Sequence, residues 1–230
     1  MAAKVVTFCN QKGGCGKTSL SMQVAGGFAR RGFRTLIVDA DPQGTATRWS
    51  SAAPDDTPFP ATVAGLSAAG GKVHREVQKF IDDYDLIVVD CPPAVDSPVP
   101  QSALMVSDLA FVPVIPSPTD LWAAVGIRDL IQRTQDVNEG LQARLVPNMV
   151  QPNTTLAKEA LDLLADFGIP TAKGTFSLRT AYRQAAVYGS TVHALKDQKA
   201  IDEVEALVTE ALDLLGMPKR APKAVKRVSA

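Results

Sequence analysis

The stretch FCNQKGGCGKTSL, from Phe8 to Leu20, joins two apolar segments and decides the fold. The segment that leads into it, Lys4 to Cys9, is rich in β-branched and aromatic residues and predicts a buried strand. The segment that follows, Ser19 to Arg31, repeats apolar residues at helical spacing, and Gly32 predicts where the helix ends. A strand, a glycine-rich loop and a helix in this order are typical of a phosphate-binding site.

The chemistry of such a loop follows from its backbone. Successive N–H groups point inward and form a nest for phosphate oxygens, and the positive N-terminal end of the next helix adds to it. We expect the Lys17 amine to reach the β- and γ-phosphates and the Thr18 hydroxyl to bind Mg²⁺. The expected phosphate contacts are Gly13, Gly14, Cys15, Gly16, Lys17, Thr18 and Ser19.

A second lysine of the loop, Lys12, has no role in that standard scheme. The strict pattern G-x-x-x-x-G-K-[ST] requires glycine at the position of Gln11, so the loop departs from it. Any account of the site therefore has to explain why a positive charge stands at residue 12.

The whole chain of 230 residues is predicted to form an α/β domain over residues 1–216, followed by a basic, disordered tail over 217–230. Strand-like and helix-like runs alternate, which predicts a single doubly wound, mostly parallel sheet with helices on both faces. Residues 50–71 are rich in Pro and Ala and predict irregular surface with one short helix. Further strands are expected over 34–38, 85–89, 109–115, 143–149 and 171–176, and further helices over 73–82, from a cap at Thr119 or Asp120 to about 137, over 156–167 and over 197–215.

Charge and cysteine content limit the classes of function. The chain carries 24 basic and 24 acidic residues, but five basic residues and no acidic one lie in the last 14 positions. Three cysteines (Cys9, Cys15 and Cys91) lack zinc-like spacing, which favours a reduced cytoplasmic protein. No apolar run approaches the length that spans a bilayer.

Three carboxylates are expected beside the loop. Asp90 ends the apolar run LIVVD, and Asp39 and Asp41 end TLIVDAD. Ligands of parallel sheets bind at the carboxyl ends of the strands, where these acids would meet the loop. We expect Asp90 to hold Mg²⁺, and one acid of the Asp39 and Asp41 pair to join the metal shell while the other faces the γ-phosphate and its attacking water.

Together these motifs resemble the ParA/MinD family of ATPases with a deviant Walker A loop, and the short ParA-type partition proteins in particular. The matching segments are KGGCGKT (12–18), DADPQG (39–44) and LIVVDCPP (86–93). The resemblance implies ATP and Mg²⁺ as cofactors. It also implies that Lys12 reaches across a nucleotide-sandwich dimer to the partner's phosphates, that Asp41 positions the attacking water, leaving Asp39 to the metal, and that Asn148 lies by the adenine.

The same resemblance implies a cytoplasmic, nucleoid-associated homodimer that binds DNA non-specifically. A ParB-like or analogous adaptor would stimulate hydrolysis, and the cargo is left open between a plasmid, a chromosome region and a protein assembly. The basic side chains offer DNA contacts or, alternatively, only a solvated helix face and a solubilising tail. The DNA-binding candidates are Arg179, Arg183, Lys196, Lys199, Lys219, Arg220, Lys223, Lys226 and Arg227.

Other members of the wider family supply the competing hypotheses. A MinD-like membrane regulator needs a C-terminal amphipathic helix, whereas the tail here has few large apolar side chains. The nitrogenase iron protein needs paired cluster cysteines, and the chain contains no C-x-x-C. A metabolic ATP-dependent ligase on the same fold lacks a lysine at the position of Lys12, so that residue discriminates.

Overall fold

The computed structural model describes residues 2–93, 96–151, 162 and 164–223. The strands are β1 (Lys4–Phe8), β2 (Thr35–Asp39), β3 (Thr62–Gly65), β4 (Leu86–Asp90), β5 (Leu109–Val114) and β6 (Gln142–Pro147). They form one sheet in the order β3-β2-β4-β1-β5-β6, and every pairing is parallel. The predicted α/β class with a doubly wound parallel sheet is therefore confirmed.

Helices cover both faces of this sheet because its strand residues alternate between two apolar clusters. The helices described are α1 (Lys17–Arg30), α2 (Thr45–Ser51), α3 (Val73–Gln78), α4 (Val99–Leu104), α5 (Pro118–Gln135), α6 (Thr180–Val187) and α7 (Gln198–Leu214). Val6 and Phe8 pack on the side of α1 and α7, and Val5 and Cys9 pack on the side of α3, α4 and α5.

Several element predictions need correction. The segment predicted as irregular over 50–71 contains β3, an edge strand whose half-exposed residues give no apolar run to detect. Residues 171–176, predicted as a strand, make only isolated bridges, such as Thr171 with Leu145. Most of the helix predicted over 156–167 lies outside the described residues.

The start of α5 also differs from its prediction. Ser117, rather than Thr119 or Asp120, caps the helix, and its hydroxyl accepts a hydrogen bond from the Asp120 N–H at 3.2 Å. The Ser117 hydroxyl in turn donates its hydrogen to Asp120 Oδ2 at 2.5 Å. The other carboxylate oxygen of Asp120 therefore remains available to a neighbour outside the helix.

Residues 217–223 of the tail pack against the body, in contrast to the disorder predicted for 217–230. The Arg220 guanidinium lies 4.3 Å from the centre of the Phe33 ring and donates to the Gly32 carbonyl at 3.0 Å. The Lys223 N–H donates to the Arg30 carbonyl at 2.8 Å. The first half of the tail is thus bound beside the C-terminal end of α1, and residues 224–230 lie outside the described part.

Two glycines with positive φ allow a matched test of the packing between α2 and the turn after α6. Gly189 and Gly216 have φ of 57° and 63°. A Cβ at Gly189 would lie 2.0 Å from the Ala53 backbone nitrogen, whereas one at Gly216 meets nothing within 4 Å. We expect Gly216→Ala to cost about 1 kcal/mol from the left-handed backbone, and Gly189→Ala to cost about 2 kcal/mol more from overpacking. Denaturant unfolding of both variants tests this, and equal losses would contradict it.

Candidate functional site

The glycine-rich loop between β1 and α1 has a backbone that few residues other than glycine adopt. Gly14 and Gly16 have φ of 74° and 94°, in the left-handed region. At Gly16 a side chain is also excluded by space, because its Cβ would lie 2.1 Å from the Asn148 Nδ2 atom. That Nδ2 atom donates to the Cys15 carbonyl at 2.7 Å. Asn148, just after β6, therefore fixes the backbone of the loop.

Lys17 is the buried cation of this loop. Lys17 is the first residue of α1, and its Nζ donates to the Lys12 carbonyl at 3.0 Å. The Cys15 thiol donates to the same carbonyl at 3.3 Å. A buried amine keeps its positive charge only where acceptors or anions surround it, so this position suits the recognition of an anionic ligand.

The surroundings of the cysteines near the loop favour the neutral thiol. Burial raises the pKa of Cys9 to about 12, although the Lys17 charge opposes the rise. Burial also raises the pKa of Cys15, again against Lys17. Because the thiolate is the reactive form, these cysteines are suited to packing rather than to redox chemistry.

Asp90 ends β4 directly beside the loop and is fully buried. Neither of its carboxylate oxygens has a hydrogen-bond partner within 3.5 Å among the described residues. Burial raises the pKa of Asp90 to about 7, the hydroxyl of Thr18 partly offsets the rise, and the charge of Asp39 adds to it. A buried carboxylate with unused oxygens is a group that a cation would stabilise.

Asp39 and Asp41 make separate contacts. One Asp39 oxygen accepts from the backbone N–H and the hydroxyl of Thr47, each at 2.8 Å, and so holds the first turn of α2. Asp41 accepts from the Gln43 N–H at 2.9 Å. Asp39 and Asp90 are direct partners in the register between β2 and β4. Asp39 thus lies next to Asp90, whereas Asp41 lies in the turn that follows β2.

Lys12 makes an ion pair with α5. Its Nζ lies 2.6 Å from Asp120 Oδ1, where the Lys12 side chain is 35% exposed and that of Asp120 9%. The second lysine of the loop is thus held at the rim by a nearly buried carboxylate, away from the interior occupied by Lys17. Sequence reasoning missed Asp120 in this role because PSPTD was interpreted as a helix cap alone.

A cavity of about 200 Å³ opens beside the start of α1. Its walls include Ser19, Trp49, Asn148 and Tyr182, so it combines aromatic faces with an amide at the edge of the loop. Met149, which follows Asn148, has a φ of 54°, the only positive φ at a non-glycine residue in the described ranges. Backbone outliers of this kind gather at ligand sites. The aromatic residues were not foreseen, since Trp49 comes from α2, which the sequence did not predict.

The predicted DNA-binding residues fall into three groups. Arg179 is engaged within the fold, because its Nε donates to Glu203 at 3.0 Å. Arg183, Lys196 and Lys199 are exposed. In the tail, the Lys219 Nζ atom lies 2.8 Å from Asp213 Oδ1, and Arg220 stacks on the Phe33 ring. Lys223 is exposed. Lys226 and Arg227 lie outside the described residues.

The residues around Asp90 fit a magnesium ion bound together with phosphate. No three His, Cys, Asp or Glu side chains of the described part gather as a complete metal site. Mg²⁺ is commonly held by one or two carboxylates with substrate phosphates and water, which Asp90, Thr18 and a loop-bound phosphate would supply.

Within the part of the chain that the structure describes, no helix has the length and apolar character to cross a membrane.

These features define a nucleotide-binding protein of the phosphate-loop class. Residues 6–192 match the model of the CobQ/CobB/MinD/ParA nucleotide binding domain, and the chain belongs to that family. The ParA/MinD resemblance expected from the three motifs is therefore confirmed.

Two of the relatives match over nearly the whole chain. Maintenance of carboxysome distribution protein A of Halothiobacillus neapolitanus is 31% identical over 212 residues, covering 91% of this chain and 97% of that one. The chromosome-partitioning ATPase Soj of Thermus thermophilus is 28% identical over 259 residues, covering 92% of this chain and all of that one.

Solved structures share the fold. An ATP complex of Cyanothece McdA superposes with a TM-score of 0.78 at 14% identity, covering 96% of this chain and 99% of that one. Cobyrinic acid a,c-diamide synthase of Mycobacterium smegmatis, solved with an ATP analogue and magnesium, gives 0.76 at 20% identity, covering 96% and 98%. At these identities the likeness concerns the fold alone.

The buried carboxylate of Asp90 generates a pH-dependent prediction. Its raised pKa means that the folded chain holds a proton more tightly than the unfolded chain, so the free energy of unfolding falls as pH rises from about 4 to about 7. The rise from 3.8 to about 7 corresponds to at most about 4 kcal/mol. Without Mg²⁺ or nucleotide, Asp90→Asn should therefore stabilise the protein at pH 8 and lose that advantage near pH 4.

Urea unfolding at the two pH values measures this effect, with the exposed Asp55→Asn as a control that should change stability little at either pH. A loss of stability in Asp90→Asn at pH 8 would show that the carboxylate is satisfied in the free protein.

Proposed function

We propose that this protein is a ParA-type ATPase that dimerises around ATP, binds DNA without sequence preference and positions a cargo through partner-stimulated hydrolysis. Its relatives act in carboxysome distribution and chromosome partitioning, as their names state. The observation that carries the proposal is the second loop lysine, Lys12, which is held at the rim of the site instead of inside it.

Within one subunit, the proposed roles follow the contacts. The loop amides and Lys17 bind the phosphates of ATP, while Thr18 and Asp90 hold Mg²⁺, which neutralises phosphate charge when bound. Asn148 keeps the loop in shape and borders the adenine, which we place in the cavity lined by Trp49 and Tyr182. Asp39 holds α2 in place and adds a negative charge beside Asp90. We therefore place Asp39 in the metal shell as an indirect contributor, which acts through its charge.

Asp41 is the proposed water-positioning group. It is 8% exposed, lies in the turn after β2 and uses one oxygen on the Gln43 N–H. Its second oxygen has no hydrogen bond among the described residues, so a carboxylate acceptor is available for a water molecule. Orienting the nucleophile is a large part of what a protein contributes to phosphoryl transfer.

Lys12 is the proposed contribution of each subunit to its partner's site. A positive charge beside the γ-phosphate stabilises the charge that develops in hydrolysis. In one subunit the Lys12 amine is turned to Asp120, while Lys17 already provides the interior cation. If Lys12 leaves Asp120 for a partner's phosphate, the lysine exchanges one anion for another and keeps a counter-charge in the dimer. A metabolic ligase, the alternative on this fold, gives Lys12 no such role.

The proposed cargo class remains a plasmid, a chromosome region or a protein assembly. A ParB-like or analogous adaptor on that cargo would stimulate hydrolysis and release the dimer from the nucleoid into the cytoplasm. The cargo named for the carboxysome relative belongs to that protein. Identification of proteins that co-purify with an ATP-locked dimer would select among these cargoes.

Lys12→Ala should keep nucleotide affinity within about twofold while lowering ATP-dependent dimerisation and turnover at least tenfold. The reason is that Lys17, Thr18 and Asp90 remain, whereas the charge supplied in trans is lost. Sedimentation with a non-hydrolysable analogue and phosphate-release kinetics measure the two effects.

Lys4→Ala is a matched control for that experiment. Lys4 also lies 2.6 Å from an aspartate, Asp108, with 37% of its side chain exposed, but it begins β1 at the opposite end of the sheet. Equal behaviour of the two variants, or lost nucleotide binding in Lys12→Ala, would contradict a role for Lys12 in trans.

The DNA surface is proposed to centre on Arg183, Lys196 and Lys199, because these exposed cations are free to contact phosphate. Arg179 and the tail cations Lys219, Arg220 and Lys223 support it, although most of them already contact the fold. Lys226 and Arg227 complete the proposed set beyond the described residues.

Replacing Arg183, Lys196 and Lys199 by Gln should weaken DNA binding and lower the slope of log K against log salt by about three per subunit, or about six for the dimer. The same change at Lys219, Arg220 and Lys223 should have a smaller effect. Fluorescence anisotropy over a salt series with the ATP-bound dimer measures both slopes. A slope that changes only in the tail variant would move the site to the tail.

A further inference from the structure

Trp122 is an unusual surface residue. It is 72% exposed in the second turn of α5, whereas the other tryptophan, Trp49, is 7% exposed. The buried side of α5 is already formed by Leu121, Ala124 and Ile127 against the sheet. The fold of one subunit therefore leaves the largest apolar side chain of this helix in water, at a considerable cost in hydrophobic free energy.

The position of Trp122 relates it to the phosphate loop. Two residues earlier, Asp120 pairs with Lys12 at 2.6 Å. One turn later, Gly126 is covered by the side chain of Gln11, because a Cβ there would lie 2.2 Å from Gln11 Oε1. Residues four apart share a side of a helix, so Trp122 lies on the side of α5 that borders the loop.

The surface around Trp122 has the composition of an interface core. We define the α5 patch as the exposed residues Pro118, Thr119, Trp122 and Ala123, none of which is charged. The loop itself also exposes two uncharged residues, Gly13 and Gly14. Interface cores are depleted of charge and enriched in aromatic residues, and tryptophan is prominent among their energetic anchors.

We propose that the α5 patch is a contact surface for a second copy of this chain, with Trp122 as its anchor. The proposal rests on the proposed ATP-dependent dimer and names the side chain that would stabilise it. A symmetric dimer that brings Lys12 to a partner's phosphates must bury the rim of the loop, and Trp122 lies one helical turn from Gly126, which the loop residue Gln11 covers.

Other occupants fit the α5 patch less well. Nucleic acid requires cations, and the patch has none, while the neighbouring Lys12 is neutralised by Asp120. A membrane requires a longer apolar face than one tryptophan among small residues provides. A second copy suits an uncharged surface with an aromatic side chain, which is the composition of an interface core.

The test compares Trp122→Ala with Val137→Ala, a control just beyond the end of α5 whose side chain is 76% exposed. With Mg²⁺ and a non-hydrolysable ATP analogue, sedimentation should give a dimer dissociation constant about tenfold or more higher for Trp122→Ala. Val137→Ala should match the wild type, and analogue affinity at a concentration where all proteins are monomeric should be unchanged. Acrylamide quenching of wild-type fluorescence should fall on dimerisation, because Trp122 is the exposed one of two tryptophans.

The outcomes separate this inference from the proposed function. A wild type that dimerises with the analogue, while Trp122→Ala dimerises equally and quenching stays high, would overturn the role of Trp122 and leave the sandwich dimer standing. A wild type that stays monomeric would overturn both. Lost analogue binding in monomeric Trp122→Ala, or lost DNA binding with normal dimerisation, would assign the residue to the loop or to nucleic acid instead.

Discussion

The site depends on one steric constraint, the passage of the loop backbone beneath Asn148. A Cβ at residue 16 would collide with the amide that holds the Cys15 carbonyl, so only glycine permits this contact and the left-handed turn that goes with it. The contact ties the loop after β1 to the end of β6. Because the six strands are parallel, the same edge of the sheet also carries Asp39 and Asp90, and the topology brings together the groups proposed to bind phosphate and metal.

Electrostatics divides the loop into an interior and a rim. Inside, Lys17 and Asp90 are buried, the lysine bonded to a carbonyl and the aspartate without a hydrogen bond among the described residues. At the rim, Lys12 pairs with Asp120 in partial contact with water. The buried interior favours a ligand that supplies both phosphate oxygens and a metal ion. At the partly exposed rim, Lys12 can exchange one anionic partner for another.

The sequence predicted where the candidate site residues lie more fully than it predicted the elements around them. The loop, Asp39, Asp90 and the parallel sheet followed from short motifs, because glycine, lysine and strand-end acids have few alternative uses in that order. The edge strand β3 and the helix α2 were missed, since half-exposed elements show no clear apolar period. Asp120 was expected to cap α5, and only three-dimensional contact reveals that it pairs with Lys12 over more than 100 residues of sequence. The packing of residues 217–223 was likewise hidden, because a basic segment rich in proline has the composition of a disordered one.

The central claim, that Lys12 acts on the partner's nucleotide, is tested most directly by mixing two inactive variants. Lys12→Ala retains its own Asp41, and Asp41→Ala retains its own Lys12. In a mixed dimer one site would combine the Asp41 of the first subunit with the Lys12 of the second. If Lys12 acts in trans, phosphate release, at least tenfold below the wild-type rate in each variant alone, rises on mixing to about a quarter of the wild-type rate under conditions where half of the dimers are mixed, because each mixed dimer has one complete site of two. Mixtures that exchange subunits, shown by fluorescence transfer, yet remain inactive would contradict the account and place Lys12 in its own subunit's site.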